Sequence, residues 1–171
     1  MLKNNKKTSS VLVLLKKELN TPKLGEMIFT VEDNGDAIFD YLLKIALTQN
    51  VTECLISSFR IAKRDLSFLE ELIEKEKLPN KIKLLLSDSI KTMVIGTYNY
   101  LNGNEKFETY YKNTHAKYAL LKTKEGNHYC IFSSGNFNPD GKIEQLTIFN
   151  SEETFLFYKK FIESCQGEKE I

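Results

Sequence analysis

The chain has 171 residues, 42% hydrophobic and 27% charged, the balance of an ordinary globular domain with room for a real core. Its 24 basic and 23 acidic side chains leave a formal net charge of +1, so no global positive field gathers phosphates and any phosphate site is local. Three widely spaced cysteines, Cys54, Cys130 and Cys165, argue against a disulfide framework, and two histidines without a CxxC pair argue against a bound metal such as zinc.

Lys3, Lys6 and Lys7 precede the apolar run Val11 to Leu15, which Lys16, Lys17 and Glu18 close. A secretory h-region needs about 7–15 apolar residues and a membrane span about 20, so the reading is a cytoplasmic protein without a membrane partner. Residues 1–23 are read as a basic, partly ordered segment, 24–165 as the domain and 166–171 as a tail. Val11–Leu19 fits a short helix or an early strand. Glu26–Val31 reads as a strand, and Asp33-Asn34-Gly35-Asp36 supplies turn and N-cap chemistry. Ile38, Tyr41, Leu42, Ile45 and Ala46 then recur at helical spacing.

Glu53–Phe59 reads as a buried strand. Lys63–Lys77 is an amphipathic helix, with Leu66, Leu69, Leu72 and Ile73 on one stripe and Pro79-Asn80 as its stop. Lys81–Ser87 is the next strand and Ile90–Leu101 a helix. Phe107–Lys112 is left open. Ala116–Thr123 and Tyr129–Ser133 form a hairpin around Lys124-Glu125-Gly126-Asn127. Gln145–Phe149 is a further strand. A last helix follows Asn150 or Ser151, lined by Phe155, Phe157, Tyr158, Phe161 and Ile162, an aromatic stripe read as core. Strands alternating with helices predict an α/β fold, an α/β/α sandwich on a mixed sheet.

The segment from Thr114 to Glu144 carries the chemistry. Residues i and i+2 of a strand share a face, so His115 and Lys117 project together while Ala116 faces away. An imidazole beside an ammonium suits a phosphate: one attacks phosphorus, the other holds a non-bridging oxygen. Ser133-Ser134-Gly135-Asn136-Phe137-Asn138 follows the next strand, and its amides donate to phosphate oxygens without adding charge. Glu144 is a carboxylate suited to orienting a histidine. The bland alternatives are an exposed edge-strand pair at His115 and Lys117, a turn built by Asn136 and Asn138 before Pro139-Asp140-Gly141, and a surface carboxylate at Glu144. Arg60, Lys63 and Arg64 follow a buried strand. They read either as cations near the site, with Arg60 the substrate-binding candidate, or as a solvated helix N-terminus.

HAK, an apolar strand, a hairpin, SSGNFN and an acidic residue together resemble the phospholipase D superfamily and its HKD motif, over residues 114–150. The resemblance implies His115 as a nucleophile that forms a phosphohistidine, Lys117 and Asn136 as phosphate ligands, and Glu144 as the partner of His115. Ser134 and Asn138 fall among the substrate-binding positions. The family's Asp falls at position 122, where this chain has Lys122. Two such motifs make one active site in the family, and this chain has one. His128 lacks a lysine two residues on, so the resemblance implies a two-fold homodimer with a shared, metal-free and cofactor-free site. The expected activity is a phosphodiesterase of nuclease type, on DNA more than RNA. The alternative is a catalytically weak or inactive nucleic-acid-binding or dimerisation module of the same fold.

Overall fold

The computed structural model describes residues 20–32, 37–137 and 144–165, with the side chains of Glu32, Ala37 and Glu144 outside that description. The expectations for residues 1–19, for Asp33 to Asp36, for Asn138 to Gly141 and for the 166–171 tail lie outside the described residues.

Among the described residues seven strands and five helices follow in the order β1 (Met27–Glu32), α1 (Ala37–Thr48), β2 (Val51–Ser58), α2 (Lys63–Glu74), β3 (Ile82–Ser87), α3 (Ile90–Met93), α4 (Ile95–Leu101), β4 (Phe107–Lys112), β5 (Tyr118–Thr123), β6 (His128–Ser133), β7 (Glu144–Asn150) and α5 (Glu152–Ser164). They build one mixed sheet of order β1-β7-β6-β5-β2-β3-β4. β2, β3 and β4 run parallel, and β5, β6, β7 and β1 add antiparallel beyond β2. One end of the sheet therefore gathers the C-terminal ends of β2, β3 and β6 and the N-terminal ends of β5 and β7.

Period-2 alternation divides the sheet between two cores. Cys54, Ile56, Leu84, Leu86, Ala119, Leu121 and Ile131 face one way, in a cluster with Leu42 and Ile45 of α1 and Leu66 and Leu69 of α2. Leu55, Leu85, Tyr118, Leu120 and Cys130 face the other, under Phe155 and Ile162 of α5. The two clusters make the expected α/β/α sandwich. All three cysteines are buried and free, and burial pushes the Cys130 thiol up to about 12.

Several boundaries differ from the sequence reading. The segment left open, Phe107–Lys112, is strand β4, in parallel register with all of β3. α2 ends at Glu74, before the Pro79 stop. Glu76 takes φ +56°, Lys77 N–H donates to Leu72 O at 2.8 Å, and Glu76 N–H donates to Ile73 O at 2.9 Å. This is a Schellman closure with glutamate where glycine is usual. The helix read over Ile90–Leu101 is two, because Val94 leaves the helical region at φ −134° and ψ 57°. The aromatic stripe of α5 splits: Phe155 is buried, whereas Phe157 and Phe161 are exposed.

Candidate functional site

Three chain segments meet at one end of the sheet: the exit of β2, the entry of β5 and the exit of β6. Hydrogen bonds lock the two exits together. Ser58, fully buried, donates its hydroxyl to Arg60 O at 2.5 Å and accepts Phe137 N–H at 3.4 Å. Ala62 N–H donates to Phe137 O at 2.9 Å, and Ile61 and Phe137 form an isolated parallel bridge. Phe137 itself is fully buried, edge-on to Phe39 of α1. The chain after β6 is thereby pinned beside the chain after β2, and Asn136 is held at the join. Arg60 N–H donates to Asn136 Oδ1 at 3.3 Å, which leaves Nδ2 as the donor end of that amide.

His115 and Lys117 precede the ladder of β5, which starts at Tyr118, so the expected strand starts two residues late. The reason is that β2, its partner, ends at Ser58 and the register stops at the Ser57–Tyr118 pair. Backbone contacts still hold the segment in line. Ser57 Oγ donates to Ala116 O at 3.3 Å, Ser133 N–H donates to Lys117 O at 3.0 Å, and Ala116 N–H donates to Thr114 Oγ1 at 3.1 Å. Ala116 packs against the α5-side core. His115 is exposed, and its ring stacks on Phe59 with centroids 4.5 Å apart and planes 18° apart. Lys117 Nζ donates to the His115 carbonyl at 2.8 Å.

Of the three cations after β2, only Arg60 turns to this end of the site. Arg64 pairs at 2.8 Å with Asp65, which is fully buried, and Lys63 Nζ lies 5.0 Å from the centroid of the Tyr100 ring. The Arg60 guanidinium lies 5.4 Å from the Phe59 centroid, and its Nη2 donates to Met93 Sδ at 3.9 Å. Its Nε is buried without a hydrogen-bond partner. Neither contact neutralises the charge, because a π face and a thioether are weak acceptors.

Ser134 has a structural engagement: its N–H donates to Gln145 O and its hydroxyl accepts Gln145 N–H, both at 3.0 Å. These bonds tie the exit of β6 to the entry of β7, where the backbone of Glu144 pairs with Glu32. Glu144 thus starts its strand at the same end of the sheet. Asn138 lies outside the described residues. His128 is at the opposite end of β6, buried against Phe155, and Lys122 is at the opposite end of β5, opposite Glu53 and His128.

Phe59 and Ser58 were not singled out in the sequence. Both end the apolar run ECLISSF, where an aromatic and a small hydroxyl read as core. The signal that finds Phe59 is alternation: Leu55, Ser57 and Phe59 share one face, and the last of them overruns the ladder into the site.

No protein-family model and no curated protein sequence matches the chain. Solved structures do. NucT from Helicobacter pylori superposes with a TM-score of 0.61 at 13% identity, over 82% of this chain and 96% of that one. Nuc from Salmonella typhimurium, a phospholipase D family member, gives 0.59 at 12%, over 84% and 96%. A polyphosphate kinase from Porphyromonas gingivalis gives 0.60 at 14%, over 85% of this chain and 26% of that one. At these identities the likeness speaks for architecture: the chain has a phospholipase D-like fold.

Proposed function

We propose that the protein is a metal-independent phosphodiesterase of nuclease type that works through a phosphohistidine at a site shared by two copies of the chain. The observation that supports this most is the convergence of His115, Lys117, Arg60 and Asn136 at one end of the sheet, linked through Phe59 and through the Arg60–Asn136 hydrogen bond. His115 attacks phosphorus and its symmetry mate protonates the leaving oxygen. Lys117, Asn136 and Arg60 hold the non-bridging oxygens, Ser134 and Asn138 are further substrate-binding candidates, and Glu144 orients His115. Nucleic acid, DNA ahead of RNA, is the substrate. The three buried, free thiols fit a reducing, cytoplasmic setting. Among the described residues no helix is long and apolar enough to cross a membrane.

The test is cleavage of plasmid and single-stranded DNA in EDTA by the wild type and by His115→Ala. Wild-type cleavage of either substrate, at least about 100-fold faster than the variant, is the expected outcome. Equal rates in the two proteins end the enzyme reading. One observation favours the second reading, a non-catalytic nucleic-acid-binding module: Lys117 Nζ is engaged by the His115 carbonyl rather than standing free. DNA binding by both proteins without cleavage by either would establish it.

A further inference from the structure

Phe59 meets both of the groups that the proposed reaction needs aimed. Its ring lies under the His115 imidazole at 4.5 Å and near-parallel, and the Arg60 guanidinium stands 5.4 Å from the same centroid. His115 is exposed, and on an exposed histidine several rotamers compete. A hydrogen-bonded orienting group occupies one ring nitrogen. A stacked one occupies the π face and leaves both nitrogens, which lie in the ring plane, open: one to attack phosphorus, the other to donate its N–H to an acceptor. Arg60 has an analogous need. Its charge is held by an aromatic face and a thioether, so an incoming phosphate meets a guanidinium without a competing carboxylate among the described residues.

Phe59 is itself well fixed. It follows directly on two ladder residues, Ser57 and Ser58, and the buried Ser58 hydroxyl holds the backbone on its other side at Arg60 O. A platform built on the end of a strand is more rigid than one on a loop.

We propose that Phe59 is a positioning residue, one ring that sets the rotamer of His115 and the direction of Arg60. The proposal rests on the phosphodiesterase reading and assigns an orienting role that does not depend on Glu144. An aromatic stack biases a side-chain population by roughly two- to ten-fold, and two copies of Phe59 serve one shared site, so losing the ring costs roughly 4- to 100-fold in kcat.

The experiment compares the full-length wild type with Phe59→Leu, Phe59→Met and Phe59→Tyr. Nuclear magnetic resonance of the His115 ring protons, assigned with His115→Ala, reads the stack directly. The wild type and Phe59→Tyr should show the upfield shift of a ring lying over an aromatic face. Leu and Met should lose it. In metal-free DNA cleavage, Leu and Met should lower kcat within the stated range and Tyr should restore it. Met fills a similar volume without a flat face, so it reads the same contrast should Leu fail to fold. Three outcomes overturn the proposal: no upfield shift in the wild type, wild-type kcat in Leu or Met, or no recovery in Tyr. A wild type that shows the shift yet cleaves no DNA sinks the phosphodiesterase reading and the positioning role with it. A cleaving wild type with an indifferent Phe59 sinks the positioning role alone.

Discussion

Arg60 and Asn136, 76 positions apart in the chain, meet through a backbone donor and a side-chain acceptor: the Arg60 N–H donates to Asn136 Oδ1 at 3.3 Å. The bond occupies the acceptor end of the amide and leaves Nδ2 as the end that would meet a phosphate in the proposed site. Asn136→Asp keeps an acceptor for Arg60 N–H, so the local fold survives. It also replaces the donor end with a negative charge. Removing a single donor to a developing oxyanion typically costs about 100- to 1,000-fold in kcat, and the added charge deepens the loss. The expected outcome is a fall in kcat/KM of at least about 100-fold with a thermal midpoint within about 2 °C of wild type. An Asp variant with ordinary activity removes Asn136 from the site.

Ser58 makes a different kind of prediction, one about stability. Its buried hydroxyl bridges Arg60 O and Phe137 N–H, and the Phe137 N–H is itself in a buried environment. Ser58→Ala leaves that donor unsatisfied at a cost of about 1–3 kcal/mol. Urea unfolding should report the loss as a lower midpoint with an unchanged slope. Because the same bridge sets the spacing of the two strand exits, cleavage should fall as well, at temperatures where the variant is fully folded. A Ser58→Ala protein as stable as wild type shows that the two exits are held by the Ala62–Phe137 backbone bond without the hydroxyl.

How much of this could be read from the sequence depends on the range of the interaction. The β5–β6 hairpin was legible because its register is local: alternation on both sides of Glu125-Gly126 fixes which residues face each core, and Gly126 supplies a positive φ of 87°. The same alternation was extended to His115 and Lys117, which precede the ladder, and there Lys117 Nζ turns to the His115 carbonyl. The sheet order was not legible, since placing β5 against β2 and β1 against β7 involves pairings set by the tertiary fold, to which local periodicity is blind. The split of Lys63 and Arg64 from Arg60 was hidden because it depends on the burial of Asp65 and the placement of Tyr100, both set by the tertiary fold. Asp65, adjacent in sequence and fully buried, claims Arg64, and Tyr100, further along the chain on α4, lies under Lys63. Phe59 escaped because an aromatic at the end of an apolar run looks like core until the ladder is seen to stop one residue before it.

The contact between α2 and α4 carries an acid-sensitive element. Glu70 on α2 accepts hydrogen bonds from Tyr100 Oη and from Asn104 Nδ2, the latter at 2.6 Å. Burial works to raise its pKa, but the Asn104 and Tyr100 bonds and the nearby Lys106 charge outweigh it, and the carboxyl sits below the ordinary 4.5. A depressed folded-state pKa means that the unfolded chain binds the proton first as pH falls. The stabilisation is fully present above the ordinary carboxylate range and is lost as pH drops below it through the lowered value. Glu70→Gln removes that charge, so its stability should decline less steeply below pH 4.5 than that of wild type. Thermal midpoints of the two proteins between about pH 6 and 3 test this, and parallel curves would discount the network.

The departure at Lys122 is where the resemblance to the phospholipase D superfamily is weakest, and the structure gives it a location. Lys122 stands at the end of β5 away from His115, seven residues and about 23 Å along an extended chain. Its direct cross-strand neighbours are Glu53 and His128. Glu53 is in turn bridged to Lys159 of α5 at 2.5 Å, so this corner is a charged seam between sheet and helix rather than a part of the proposed phosphate site. Installing the family residue here, Lys122→Asp, places two carboxylates opposite one another on adjacent strands. Like charges so placed cost about 0.2–1 kcal/mol, a fall of roughly 1–4 °C in a domain of this size. Metal-free cleavage should be unchanged, because no described contact connects position 122 to His115, Arg60 or Asn136. A variant whose cleavage rises several-fold would show instead that the far end of β5 transmits to its entry, and that the lysine holds the site in a weakened state.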